Sequence, residues 1–370
     1  MYAGGLRTST AIAHPRSTST IRVDASRCGD YSNCLVHLEI VDSSMRRTRP
    51  PRRGLRPEAA LVVLLLLSSR SSAAGWDEAI DASISRATAW MESVHVDPFG
   101  GGVPAFRSSV IEIEVWHRLW CLEQEPSRKS QFREEAVSRL EEILDRSRLE
   151  AVLRLPEGSS AFTEAAVLAA RCRIHGLDPT PIREALAHQS EDLAREIGQA
   201  SPSIRALYAV YLPRAGIAPP VRLEEVRPQG ILARRPQEVE MTLSQVYYLT
   251  HEVYALTDYA MEPLRGLSDE EQSYLLRVLA FYTIFYGALD NLDITAELIT
   301  CLNSAGMRDI HAYHEGIRIV LESQNPDGSF GAPDPRVVGR QVAWTDYLHP
   351  TMNCITALGL ERRARRAAGR

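Results

Sequence analysis

From Trp76 to the C-terminus, apolar residues recur at every third or fourth position through eleven successive runs, and no run alternates convincingly with period two. That spacing gathers apolar side chains on one face of an α-helix, whereas a half-buried strand needs strict alternation. The runs fall at 77–95, 106–124, 129–147, 160–175, 180–198, 203–213, 240–261, 268–288, 291–304, 308–324 and 338–360. The joints are short and carry Pro and Gly, as in DPFGGGVP at 97–104, LPEGSS at 155–160 and GLDPTP at 176–181. The expected class is all-α. Eleven helices on short turns make antiparallel hairpins, and an α/α toroid, with an inner and an outer layer, is one economical way to bury them. An α-solenoid is the alternative, though no repeat of about 34 or about 40 residues is visible.

The first 75 residues read differently. Residues 1–44 mix Ser, Thr, Gly and Arg without a sustained period and are expected to be a disordered extension. Residues 45–74 are signal-peptide-like: MRRTRPPRRGLRP, then the apolar AALVVLLLLSS, then SSAAG with small residues placed for cleavage after Ala74. The apolar run is too short for a transmembrane span. Export is expected if translation starts at Met45, and a cytoplasmic location otherwise. Residues 76–370 are expected to form one toroid domain, with a weak division at the Arg/Pro-rich stretch 213–238.

Charge narrows the partners. The net charge is −5, yet the first 57 residues hold 10 Arg against 4 acids, so the helical part is the more acidic. Nothing there asks for nucleic acid. Lys129 is the only lysine among 42 basic residues, a bias that reflects coding composition more than phosphate binding. The six cysteines form no CxxC pair and no zinc-finger spacing, so no metal and no cofactor is expected from them. In an exported protein a Cys301–Cys354 bridge becomes conceivable.

Candidate chemistry sits on two stripes and one helix start. In MTLSQVYYLTHEVYALTDY (241–259), Val246, Leu249, Val253, Leu256 and Ala260 share one face, while Tyr247, His251, Tyr254 and Asp258 lie nearly opposite, with no Lys or Arg. Such a helix suits burial on both sides, one of them against a polar-lined cavity. Asp290, Asp293, Glu297 and Cys301 make a second stripe; carboxylates one turn apart can share a proton or hold a divalent cation. Its simpler reading is a helix start, Asp290 as N-cap and Asp293 at the third position. His349 before Pro350 is expected at a helix mouth, with Trp344 and Tyr347 beside it. QNPDGSFG (324–331) is turn chemistry, a structural staple with Gln324 bonding back to the helix end and Phe330 beneath it.

VYYLTHEVYALTDY, LDITAELITCL, QNPDGSFG and YLHPTMNCITALGL, in that order, resemble an uncharacterised bacterial family of unknown function of the terpenoid-cyclase and protein-prenyltransferase type of α/α toroid. The resemblance covers roughly residues 80–360 and is best in the last 130. It implies a central cavity at the ring axis. The superfamily's reactions do not come with it: the Asp-x-Asp-Asp acid, the Asp-x-Cys zinc pair and the Trp-Cys and Cys-His-Gly ligands are all absent. Three functions stay open. One is binding or transformation of a hydrophobic, natural-product-like small molecule, with His251, Asp258, Glu297 and His349 as catalytic candidates and Tyr247, Tyr254, Asp290, Asp293, Trp344 and Tyr347 as ligand-binding candidates. The others are a carbohydrate-active (α/α) barrel hydrolase or lyase, and a non-catalytic protein-interaction toroid. Oligomeric state is not legible.

Overall fold

The computed structural model describes residues 20–23, 38–41, 75–331 and 345–369; the signal-like segment and Trp344 lie outside them. The chain divides into two compact units, the smaller taking in residues 1–71 and 240–246. In the smaller unit, β1 (Thr20–Val23) and β2 (Leu38–Val41) pair antiparallel, with Thr20 opposite Val41 and Val23 opposite Leu38. No sheet was expected. Thr242 and Gln245 exchange a reciprocal cap, Thr242 N donating to Gln245 Oε1 at 2.8 Å and Gln245 N to Thr242 Oγ1 at 3.3 Å.

Every other described element is helical, so the all-α class holds. The helices are α1 (Trp76–Ser93), α2 (Gly102–Leu122), α3 (Pro126–Ile143), α4 (Arg146–Leu153), α5 (Phe162–His175), α6 (Thr180–His188), α7 (Ser190–Gln199) and α8 (Pro202–Ala215). They continue with α9 (Leu223–Val226), α10 (Ile231–Arg234), α11 (Leu243–Thr257), α12 (Asp269–Gly287), α13 (Leu292–Ser304), α14 (His311–Glu322) and α15 (Thr345–Ala367). Two expected runs are split. Asp145 breaks 129–147 because its carboxylate accepts from Arg148 N at 3.1 Å and starts a new helix. The run 180–198 breaks at Gln189. The stretch 213–238 contains α9 and α10.

Four helices carry stretches buried on every side: 112–119 of α2, 165–172 of α5, 294–302 of α13 and 351–362 of α15. α13 and α15 pack on each other; α13 also packs on α12 and α14, and α15, the last helix, on α1 and α2, the first two. α12 opens on a capping box, Glu271 N donating to Ser268 Oγ at 3.2 Å and Ser268 N to Glu271 Oε2 at 2.8 Å. Though apolar nearly all round apart from Arg277, it is not buried on every side. Phe281 is exposed and stacks on Phe285 at 6.0 Å, so the aromatics cover one another on an open face.

The QNPDGSFG staple reaches farther than expected. Gln324 Nε2 donates to the Ser83 carbonyl on α1 at 2.9 Å, and Ser83 Oγ donates back to Gln324 Oε1 at 2.9 Å. Phe330 is fully buried, and its N–H donates to Thr351 Oγ1 on α15 at 2.9 Å. The loop therefore ties α1 and α15 together instead of closing its own helix.

Glu252 of α11 holds the crossing segment 223–234. Its Oε2 accepts from Ile231 N at 2.8 Å and Leu232 N at 3.3 Å, while Oε1 is buried without a partner. Gly230 permits this approach, since a Cβ there would sit 2.2 Å from Oε1. Burial pushes the carboxyl up to about 7, against the pull of those two amides. The folded state then binds this proton more tightly than the unfolded chain, so stability falls as pH rises from about 4.5 through about 7. Glu252→Gln should raise the melting temperature clearly at pH 8 and little at pH 5; an equal effect at both would refute the assignment.

Candidate functional site

Polar side chains on helices that are buried all round must find partners inside, because an unpaired buried polar group costs about 1–3 kcal/mol. α13 begins at Asn291, whose side chain accepts from Ile294 N at 3.5 Å. The expected cap, Asp290, lies one residue earlier in a left-handed conformation (φ 55°), exposed and outside the helix. Asp293 thus stands in the first turn, where free N–H groups favour a carboxylate, and Glu297 follows one turn on. α15 contributes His349 and Asn353, also one turn apart, and α11 contributes Tyr247, Thr250, His251 and Tyr254.

These three helices build one polar cluster. His349 Nδ1 lies 2.7 Å from Asp293 Oδ1. Tyr247 donates its hydroxyl to Asp293 Oδ2 at 2.8 Å, and Asn353 Nδ2 donates to Asp293 Oδ1 at 2.9 Å and to Glu297 Oε1 at 3.3 Å. Thr250 Oγ1 donates to Glu297 Oε2 at 2.6 Å. Asp293, Glu297 and His349 each place one donor atom within 4.8 Å of the other two. Glu297 is 1% exposed, whereas the His349 side chain keeps 40% of its surface open, so the cluster has a buried floor and an accessible imidazole.

The charges sort accordingly. Burial works against the Asp293 charge, yet the neighbouring His349 together with the Tyr247 and Asn353 donors hold its carboxyl below the usual range. Burial also opposes a charged His349, but Asp293 and Glu297 outweigh it and raise the imidazole. Glu297 is pushed up by burial and by Asp293, over the pull of His251 and His349. The picture is an Asp293–His349 ion pair beside a carboxyl inclined to hold its proton. His251 Nδ1 donates to its own Tyr247 carbonyl at 2.7 Å, which leaves Nε2 as the free nitrogen.

Asp258 is not brought to this cluster. α11 ends at Thr257, and Asp258, Tyr259 and Ala260 turn left-handed at φ 49°, 51° and 67°, so the helical spacing that grouped Asp258 with His251 stops one residue short. The Asp258 carboxylate instead accepts from Arg171 at 3.1 Å, from the Tyr211 hydroxyl at 2.5 Å, and pairs with Arg214 at 2.9 Å. Arg171 also makes a two-bond fork to Glu114, at 2.7 and 3.2 Å. This second network also borders His117 and His175, 3.1 Å apart, which burial keeps neutral by lowering both imidazoles, His175 to about 4. Burial pushes the nearby Cys121 thiol up to about 11, so it is no nucleophile.

Of the remaining candidates, Tyr254 is buried with its hydroxyl unpartnered, and Tyr347 is half-buried. Cys301 and Cys354 are free, buried thiols. His349 is the fifth residue of α15, with Pro350 inside the helix, and so lies deeper than a helix mouth. Thr250 and Asn353 were missed. Asn353 had a signal, its spacing of four from His349; Thr250 had none, being a β-branched residue in an apolar run.

One protein-family profile, Domain of unknown function (DUF6895), matches residues 108–352, which takes in α11, α13 and the start of α15. No curated protein matches the chain.

Proposed function

The chain belongs to the DUF6895 family, a domain of unknown function, and on that premise we propose that it binds and transforms a small molecule at the Asp293–Glu297–His349 cluster, in the inner wall of an α/α toroid. The toroid reading is supported by four helices that are buried all round and by a last helix that packs on the first two. A hydrophobic, natural-product-like molecule would set its polar reacting group on this cluster and its apolar part on the helix faces around it.

The observation that carries the reading is the His349–Asp293 pair. A carboxylate 2.7 Å from Nδ1 fixes the ring of a partly exposed imidazole, the arrangement of an oriented general base or acid that would act through Nε2. Glu297, floored by Thr250 and Asn353, supplies a second acid–base group within reach. The pairing-off of Asp258 favours a non-catalytic interaction toroid for that part of the interior only.

The test is a metabolite footprint. Purified full-length chain, incubated with extracts rich in terpenoids, polyketides and lipids, should deplete or convert a small set of compounds by mass spectrometry. His349→Ala and Asp293→Asn should abolish that footprint while melting as cooperatively as the parent. An identical footprint from parent and variants would sink the proposal.

A further inference from the structure

Buried carboxylates in this chain follow a rule. Glu112 pairs with Arg139 at 2.7 Å, Glu114 with Arg171 at 2.7 Å, Glu123 with Arg362 at 3.2 Å, Asp258 with Arg214 at 2.9 Å and Glu361 with Arg308 at 2.8 Å. Among the described residues two fully buried acids lack an arginine: Glu252, which accepts two backbone amides, and Glu297. Glu297 moreover sits one turn from Asp293, so two carboxylates share a cluster whose only ion-pairing partner among the described residues is the His349 imidazole. Burying two carboxylates side by side without a full counter-charge is costly. In a chain so rich in arginine, the exception marks a place kept for another cation.

A second observation points the same way. Tyr254 is 3% exposed and its hydroxyl has no partner. Its ring lies 5.9 Å from that of His251, on the helix that supplies Tyr247 and Thr250 to the cluster, so an unsatisfied oxygen stands on the same wall.

We propose that Asp293, Glu297 and His349 bind one divalent first-row transition ion, of the Zn²⁺ or Mn²⁺ kind, leaving the remaining coordination positions to water or substrate. This rests on the reading that the cluster is the functional site and says what occupies it. Two carboxylate oxygens and one imidazole nitrogen suit ions of intermediate softness; an imidazole donor weighs against Mg²⁺ and Ca²⁺. Metal–ligand bonds of about 2.0–2.2 Å put donor atoms about 3–3.5 Å apart. Donors that already lie within 4.8 Å need only small side-chain adjustments. The ion takes the place of the proton between His349 Nδ1 and Asp293 Oδ1 and of the proton that Glu297 is inclined to hold, so binding releases both to solvent. Its +2 charge balances both carboxylates with the imidazole neutral. Tyr247, Thr250 and Asn353 then act as outer donors that orient the ligating carboxylates.

The test uses the full-length chain, stripped with EDTA and dialysed, and titrated with ZnCl₂ and MnCl₂ by calorimetry. One ion per chain should bind and raise the melting temperature. Glu297→Gln and His349→Ala should each weaken binding on the order of 100-fold or more, judged against the effect of losing even an outer-shell partner. Should a variant fail to fold, pulsed EPR of the Mn²⁺-loaded parent decides, since it must report a single coordinated imidazole nitrogen. No binding at millimolar metal, binding unchanged in folded variants, or no nitrogen coupling overturns the proposal. A metal-free parent that still gives a His349-dependent metabolite footprint would remove the ion and keep the small-molecule reading. A bound ion without any footprint would do the reverse.

Discussion

Arg171→Met is expected to lower unfolding stability by about 3–5 kcal/mol at pH 7, the usual loss when one partner leaves a buried ion-pair network. Arg171 has no exposed surface, and its guanidinium neutralises Glu114 and Asp258 together. The methionine fills comparable volume, so the loss reports stranded charge and not a cavity. The pH dependence gives the independent sign. Burial works to raise both carboxyls, but Arg171 and its neighbours hold each down to about 2. Against ordinary values of 4.5 and 3.8, the folded state binds these protons less tightly than the unfolded chain. Their contribution is complete above about 4.5 and is lost as pH falls toward 2. In Arg171→Met the two carboxylates lose the cation they share, Asp258 keeping Arg214 and Glu114 only Arg118 at 3.6 Å, so acidification should relieve the defect. Urea unfolding at pH 7 and pH 4 should therefore show the gap between parent and variant narrowing at the lower pH. A constant gap, or one below about 1 kcal/mol, would mean the network is worth no more than a surface pair.

The same network explains why part of the site could not be read from the chain. Helical periodicity placed Asp258 seven residues after His251 and so on the same face, which holds only while the helix continues. It ends at Thr257, and three successive left-handed residues turn Asp258 toward Arg171. Left-handed backbone at non-glycine residues costs of order 1–3 kcal/mol each, so it persists only where contacts enforce it. Here those are Arg171 and Tyr211 on Asp258, and Arg118 lying 4.9 Å over the Tyr259 ring. Arginines 87 and 141 positions away leave no trace in a local pattern. By contrast, the longer helices of residues 76–331 were legible, because each buries a periodic face, whereas the one-turn α9 and α10 lie in a stretch read as a division. Boundaries were less so: Asp290 and Asn291 are both good caps, and sequence cannot say which carbonyl starts the helix. The stripe Asp293–Glu297 and the lone His349 were legible as residue types. Their meeting was not, since it depends on α13 and α15 packing across a connection of about 40 residues.

Gly328→Ala should lower stability by about 2–4 kcal/mol, from backbone strain and a collision together. Gly328 has φ 99°, where a side chain is strained whatever space surrounds it. A Cβ there would also lie 2.4 Å from the Arg86 carbonyl oxygen of α1, a backbone atom that cannot swing aside. Gly328 N donates to Asn325 O at 2.9 Å, and Asn325 N to Ser329 O at 2.9 Å, so the turn is closed on itself and has little freedom to yield. The displacement must go into the contact with α1, where Gln324 bonds to Ser83. Phe330 lies two residues on, and its amide bonds to Thr351, two residues from His349 in α15. The turn thus connects α1 to the helix that carries the imidazole, and the substitution should show in two places. Chemical denaturation should report the global loss. Hydrogen exchange should report faster opening of 324–331 and of the first turns of α15, ahead of α5 and α8, which lie away from the loop. Uniform acceleration, or a melting temperature within a degree of the parent, would show that the loop is a passive connection and that α15 holds His349 in place without it.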